Sequence, residues 1–319
     1  MFEETARTTL RHCGALERWL ADPRVKEVMV NDGHDVFIED DDGLRHVDAI
    51  TPTETDAIIQ RILLQHGKRV DRLAPIVDTR LADGSRVCIV VPPASRGPCL
   101  SIRRFTLTNA SLADFGDTSC AAILERLVAE RRNIVVSGAA SSGKTTLLGA
   151  LARHIPANDR LVVIEDVAEL GIAVPNVVRL EAQPPGAEGI GALSMQVLLR
   201  AALRMRPDRL IIGEVRGAEV ADLLEALDTG HAGSLGTCHA ASGTDALDRL
   251  ALLVLRHHPQ WGSTVARAVV HRVIDAVIHL ERDETGSRRV SHVVAVPNDP
   301  TQRARTLYRH DAPTVRRAA

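Results

Sequence analysis

Two rhythms of apolar and polar positions divide the chain. Over the first hundred residues the apolar positions come in short alternating runs. "EVMVND" at 27–32, "DVFIED" at 35–40 and "LRHVDAI" at 44–50 each put every second side chain on one face, the period of a half-buried strand. "DDG" at 41–43 supplies a hairpin turn, and the acidic run Glu39 to Asp42 is expected to be its solvated tip. The period then lengthens. In "TPTETDAIIQRILLQHG", Ile58, Ile59, Ile62 and Leu63 form the stripe of a helix that Thr53 is expected to cap and Gly67 to end. Strand spacing resumes at 76–81, 86–93 and 99–105, so residues 1–108 are expected to form a smaller α+β domain.

The stretch "TLTNASLADFG" is rich in Thr, Asn, Ser and Gly and predicts a linker, placed at 109–118. Beyond it the strands become continuous apolar runs alternating with helices. "NIVVSG" leads into a helix from about Gly143, and "RLVVIED" (160–166) and "VVRLEA" (177–182) precede the helix "SMQVLLRAALRM" (194–205). "DRLIIGE" (208–214), the helix "EVADLLEALDTG" and the strand "SLGTCHA" (234–240) follow. Uninterrupted apolar strands separated by helices predict a mainly parallel sheet covered on both faces, an α/β domain over 119–300. "DAVIHLERD", "ETGS" and "RRVSHVVAV" form a hairpin near its end, and residues 301–319 are expected to be a loosely ordered tail.

Composition narrows the function classes. A chain of 319 residues with 45% hydrophobic and 25% charged positions suits two well-buried domains. The seven aromatic residues leave the core aliphatic and offer little for stacking single-stranded nucleic acid. A net charge of −2 and a pI near 6.7 speak against broad binding to nucleic acid or anionic lipid, so no direct nucleic-acid partner is expected. The five cysteines are scattered and form no C-x-x-C pair, the usage of reduced thiols in a cytosolic protein. No basic start followed by an apolar run occurs, and no stretch reaches the roughly 18 apolar residues of a membrane span. A cytoplasmic protein that meets a membrane only through partners is therefore expected.

The chemistry concentrates in the second region. "SGAASSGKTTLL" at 137–148 fits the phosphate-loop pattern G-x-x-x-x-G-K-[ST] at Gly138, Gly143, Lys144 and Thr145, directly between an apolar strand and an apolar helix. Loop N–H groups and the helix dipole favour phosphate there. Lys144 is one of three lysines among 39 basic residues, and a compact ammonium fits between β- and γ-phosphates where a planar guanidinium is too wide. ATP with Mg²⁺ is the expected ligand, with the Thr145 hydroxyl beside the metal. Glu165, Asp166 and Glu169 follow one strand and Glu214 and Arg216 another, at the carboxyl ends that line the crevice of a parallel sheet. Glu214 is expected to orient water or act as general base, with Glu165 or Asp166 supporting Mg²⁺. In "TGHAGSLGTCHA", His231 and His239 are expected to sense the γ-phosphate or couple neighbouring elements, a structural hydrogen-bonding role being the alternative.

With these boxes in order, the chain resembles the type II/IV secretion ATPase superfamily, and within it the tight-adherence (Tad) pilus ATPases of the TadA/CpaF branch, from about Val25 to Arg289. "EVMVN", "GKRVD", "DGSRV", "PCLSIRRF", "SGAASSGKTTLL", "VVIEDVAEL", "RMRPDRLIIGEVRGAEVADLLEALDTGHAGSLGTCHA" and "DALDRL" fall in the family's order. The resemblance implies a RecA-like ATPase domain, an N-terminal PAS-like domain and a hexameric ring that works with inner-membrane platform proteins of a pilus or secretion system. Gly138, Ala139, Ala140, Ser141, Ser142, Gly143, Lys144, Thr145 and Thr146 match its Walker A box. Glu165, Asp166 and Glu169 match its Asp box, Gly213 and Glu214 its Walker B box, and His231 and His239 its His box. Arg103 and Arg104 match the basic pair that reaches the nucleotide phosphates in the family; on the residues alone they read as solvated strand arginines. Thr-Gly is usual where this chain has Ala140-Ser141, which bears on hydrolysis rate, and the tetracysteine element of many pilus-assembly ATPases is absent. Three rivals stand beside the Tad motor: a conjugation or type IV secretion ATPase, a weakly hydrolysing ATP-dependent switch, and a helicase, which the composition disfavours.

Overall fold

The computed structural model describes residues 13–104, 110–172, 174–183, 191–282 and 287–310. The chain divides into two compact units, Met1–Thr106 and Leu107–Ala319. In the first, a 3₁₀ turn leads to α1 (Glu17–Leu20), β1 (Glu27–Asn31), β2 (Asp35–Asp40), β3 (Gly43–Ala49), α2 (Pro52–Gln65), β4 (Ile76–Arg80), β5 (Arg86–Val90) and β6 (Cys99–Arg103). The strands form one antiparallel sheet in the order β3-β2-β1-β6-β5-β4. Its buried face alternates as the sequence does: Val28, Val30, Val36, Ile38, Leu100 and Ile102 pack with the α2 stripe Ile58, Ile59, Ile62 and Leu63.

Two expectations for this unit change. Thr51, not Thr53, caps α2: its hydroxyl accepts from the Glu54 N–H at 3.2 Å, and Pro52 takes the first helical position, where its fixed φ suits the helix and its missing N–H costs nothing. The acidic turn is not wholly solvated, because Asp40 is buried and pairs with Arg45 at 2.5 Å.

The second unit holds α3 (Thr118–Ala129), β7 (Ile134–Gly138), α4 (Lys144–Ala152), β8 (Leu161–Glu165), β9 (Val177–Glu181), α5 (Met195–Ala202) and β10 (Arg209–Ile212). Then follow α6 (Glu219–Asp228), β11 (Leu235–His239), α7 (Gly243–His257), α8 (Gly262–Val273), β12 (Ala276–Arg282), β13 (Arg288–Ala295) and β14 (Arg305–Arg309). The sheet runs β14-β13-β12-β7-β11-β10-β8-β9, parallel from β12 to β9 and antiparallel at the β12-β13-β14 edge. Its continuous apolar strands feed two cores. Val135, Val162, Ile164, Leu210, Ile212 and Val277 pack with α5 to α8, while Ile134, Val136, Leu161, Val163, Ile211 and Ile278 pack with α3 and α4.

The expected linker is instead part of this unit. Leu112–Phe115 forms a 3₁₀ turn with Leu112 and Phe115 buried, and Asp117 caps α3 by accepting from the Cys120 N–H at 2.8 Å. The tail also differs: β14 pairs with β13, and Tyr308 is buried against the α3 and α4 core; residues 311–319 lie outside the described ones. At the amino ends of the parallel strands a polar network closes the sheet. Arg209, only 1% exposed, binds Asp159 at 2.7 Å and the Val128 carbonyl at 2.9 Å. Asn133 accepts from Gly233 N at 2.9 Å and donates to the Val273 carbonyl at 2.8 Å. Among the described residues no helix is long and apolar enough to cross a membrane.

Candidate nucleotide site

The carboxyl ends of β7, β8, β10 and β11 carry the second unit's chemistry. At the end of β7 the chain turns through residues 139–143 into α4, and three backbone conformations in that turn are left-handed: Gly138 (φ 152°), Ser141 (φ 57°) and Gly143 (φ 97°). A Cβ at Gly138 would lie 2.6 Å from both the Leu280 carbonyl oxygen and Ser142 Oγ, and one at Gly143 would lie 2.7 Å from Arg288 Cδ. Only glycine lets β7 run this close to β12 and the turn close over it. Ala139, Ala140 and Ser141 form the exposed crest, Thr145 and Thr146 are half-buried, and Ser142 Oγ is buried without a hydrogen-bond partner.

The turn leaves α4 open at its amino end. In α2, α3, α5 and α7, side chains of Thr51, Asp117, Ser194 and Ser242 each accept a first-turn N–H. Gly143, which precedes α4, has no side chain to offer. The starts of α6 and α8 also lack a side-chain cap, but at α4 the uncapped N–H groups follow a glycine turn and adjoin a lysine, an arrangement suited to a phosphate oxygen.

Lys144 is the first residue of this helix and is buried. Its three donors have three acceptors: Gly138 O at 3.1 Å, Ala139 O at 2.7 Å and His239 Nδ1 at 3.3 Å. Burial pushes its pKa down, and the Glu214 carboxylate opposes that shift. Because an ammonium only donates, His239 Nδ1 is the acceptor and the ring carries its proton on Nε2, which lies 3.3 Å from Glu214 Oε1. Lys144, His239 and Glu214 thus form one line of polar contacts, a hydrogen bond from lysine to histidine and a 3.3 Å approach of histidine to carboxylate, from the phosphate loop to the turn after β10. The parallel register that sets His239 beside Gly138 creates it.

The other expected residues divide. Glu165 is 2% exposed, and its Oε1 accepts from the N–H groups of Glu169 (2.7 Å) and Leu170 (2.9 Å), so it braces the turn after β8. Burial raises its pKa, against the pull of those two bonds. From the sequence Glu165 is expected to support the metal; in the structure its Oε1 is committed to backbone. Asp166 forms an ion pair with Arg216, tying the turns after β8 and β10 together.

His231 does not join the line. It precedes β11, at the opposite end of that strand from His239, and its Nδ1 lies 2.9 Å from the Ala226 carbonyl at the end of α6. A five-residue strand separates the two rings by about 15 Å or more, so the structural alternative describes His231. Arg104 likewise holds the turn before β1, donating to the Asp22 carbonyl at 2.5 Å and the Val25 carbonyl at 3.2 Å. Within its own unit Arg104 braces backbone through Nη1, whereas Arg103 ends β6 with its side chain exposed.

Sequence reasoning missed the pair His279 and His292. These buried or half-buried rings stack at 5.0 Å between adjacent strands, with Ser137 Oγ 2.9 Å from His279 Nδ1 and the Gly243 N–H 3.2 Å from His292 Nε2. Both have lowered pKa values, first through burial. The signal was present as two histidines on facing strands of the expected hairpin, but register alone brings them together.

Comparison with known proteins shows the family. A family model described as "Type II/IV secretion system protein" matches residues 10–309. A protein of Mycobacterium tuberculosis (strain ATCC 25618 / H37Rv) named for conjugal transfer is 36% identical over 307 residues, covering 91% of this chain and 86% of that protein. The type IV secretion system protein PtlH of Bordetella pertussis is 34% identical over 311 residues, with 87% and 92% covered. The crystal structure of the VirB11 ATPase from the Brucella suis type IV secretion system, in complex with sulphate, superposes with a TM-score of 0.51 at 30% identity, over 93% of this chain and 97% of that one. The pilus retraction motor PilT with bound ADP shares the fold at a TM-score of 0.65 and 19% identity, over 86% and 80% of the two chains.

Proposed function

We propose a task for this chain from a plain premise: it belongs to the type II/IV secretion system protein family, and it is an ATPase. Its task is to power movement of protein or nucleoprotein in a type IV secretion or conjugation system, through Mg²⁺-dependent ATP hydrolysis in a ring of identical subunits. The observation that carries the nucleotide part is the glycine-walled turn into α4, uncapped by any side chain and joined by Lys144 to His239 and Glu214. The system assigned rests on the relatives, which are named for conjugal transfer and type IV secretion. A tight-adherence pilus motor is the second reading, favoured by the wording of the sequence boxes.

The residues fit a nucleotide and its metal. Phosphate oxygens would accept from the N–H groups of the turn and of Lys144, Thr145 and Thr146, with the lysine charge beside them. Among the described residues no cluster of three or more His, Cys, Asp or Glu is arranged around a metal ion. Mg²⁺ would instead be held by phosphate oxygens, the Thr145 hydroxyl and, through water, Glu214. When bound, the metal neutralises charge on the transferring phosphoryl group. Glu214 would orient or deprotonate water, with the His239 ring 3.3 Å from its carboxylate. Lys144 holds the crest of the turn through its two carbonyl contacts while its charge attracts the incoming phosphates.

Phosphate release across a range of protein concentrations, with and without Mg²⁺, tests this reading. Specific activity that rises with concentration and needs Mg²⁺ is expected for a site completed by assembly. A chain that stays monomeric at high concentration with ATP present would remove the ring and the motor with it.

A further inference from the structure

A basic group sits on the phosphate turn from the side opposite Glu214. β12 runs beside β7 with Leu280 in register with Gly138, so the residues after Leu280 continue past the start of the turn. Arg282 ends β12, and Arg288 begins β13 directly across from it. The stem of Arg288 then crosses Gly143: Cδ lies 2.7 Å, and Cγ and Nε each 3.6 Å, from where a Cβ on that glycine would be. Gly143 immediately precedes α4, so this arginine leans on the open amino end of the helix.

Arg282 and Arg288 bring two positive charges opposite each other in the β12-β13 register, the turn of residues 283–286 that joins them lying outside the described residues. Among the described residues neither takes part in an ion pair, whereas Arg216, Arg200, Arg209 and Arg272 of the same unit each pair with an aspartate. Burial and the neighbouring Arg282 charge both lower the pKa of Arg288, the response of a cation short of an anion. The strand order adds a direction. β11 and β10, which carry His239 and Glu214, lie on one side of β7, and β12 and β13 lie on the other.

We propose that Arg288 is a nucleotide-contacting residue of this chain's own phosphate site, binding the diphosphate part shared by ATP and ADP from the side away from Glu214. This rests on the nucleotide-site reading above and adds a residue to it. The stem packs across Gly143 with Nε beside the turn, so less side-chain freedom would be lost when nucleotide binds. The contact is made to substrate and product alike. It therefore contributes uniform binding, which shows in KM more than in kcat.

Affinities of wild type, Arg288→Met and Arg288→Lys for fluorescent mant-ADP and mant-ATP test the proposal, with Lys144→Ala as control and thermal melting to confirm folding. Arg288→Met keeps the stem and removes the charge. It is expected to weaken both nucleotides about tenfold or more, the scale of one hydrogen bond to a charged group, and to raise KM more than it lowers kcat. Arg288→Lys, which retains charge, is expected to recover most of the loss. Arg288→Gln is the second variant should the methionine protein melt early, and the same loss is expected of it. Binding by Arg288→Met and Arg288→Gln equal to wild type would overturn the proposal, as would a loss confined to ATP or one that lysine does not relieve. If wild type binds neither nucleotide, the site itself falls. If Lys144→Ala abolishes binding and Arg288→Met does not weaken it, only the role of Arg288 falls.

Discussion

The two ends of the parallel sheet carry similar polar side chains to opposite effect. At the amino ends, Arg209, Asp159, Asn133 and Asp275 satisfy one another and the surrounding backbone: Asp275 accepts from Asn133 N at 2.8 Å, and Ser234 Oγ accepts from Leu210 N at 2.9 Å. At the carboxyl ends, the amino terminus of α4 has no capping side chain, and Arg288 pairs with no acid among the described residues. At the first end the polar groups are spent between strands, and at the second Lys144 and its neighbours gather around a helix start that no side chain caps. The difference arises from strand direction: parallel strands point their carboxyl ends, and the helices that follow, at one crevice. Histidine illustrates it within a single strand, for His231 at the start of β11 bonds a helix carbonyl and His239 at its finish joins lysine to glutamate.

Breaking the open end should cost activity, and breaking the closed end should cost stability. The largest effect is expected from Lys144→Ala, which should lower ATP turnover by about 10²–10³-fold or more while the protein melts near wild type, as phosphate release and calorimetry would show. Arg209→Met is the counterpart. Removing Arg209 leaves Asp159 with Arg131 as its remaining cation and takes a donor from the Val128 carbonyl, and urea unfolding should register a loss of about 1.5–3 kcal/mol. Glu165→Ala is expected to cost about 1–3 kcal/mol, because two N–H groups lose their acceptor, with Glu165→Gln closer to wild type.

The histidine pair gives a smaller effect with a definite sign. His279 and His292 have folded pKa values below the ordinary 6.5, so the unfolded chain binds more protons as the pH drops below that value. Their contribution is fully present above about pH 6.5 and is lost as the pH falls toward the folded values, at up to about 1.4 kcal/mol per pH unit for each ring. Beyond burial, His279 feels the His292 ring, Glu281, Asp245 and Lys144, and His292 feels Glu281 and Arg309. Unfolding measured between pH 7.5 and 5, compared with His279→Gln, should show a shallower decline in the variant. The smallest effect is expected at His231→Gln, about 1 kcal/mol in stability for the lost carbonyl contact, with turnover unchanged where His239→Gln lowers it.

Much of this division was legible in the sequence. The alternating strands of the first unit and the continuous ones of the second gave different burial demands, and the phosphate-loop spacing located Lys144 on a helix start. What the sequence hid was side-chain direction. Glu165 and Glu214 both end buried strands, yet one turns back to brace its own loop and the other meets His239. Arg103 and Arg104 are neighbours, but only Arg104 reaches the carbonyls of the preceding turn. The tail hid β14 because a five-residue edge strand with one buried tyrosine carries too weak a period. Helices α7 and α8 were passed over beside the more prominent boxes, although their apolar faces complete one core.

The most direct test is Glu214→Gln, measured for both ATP binding and phosphate release. If the line from Lys144 through His239 ends on the residue that activates water, this variant binds ATP about as wild type does and loses turnover by about 10²-fold or more. Turnover at the wild-type rate with glutamine at this position would contradict that assignment.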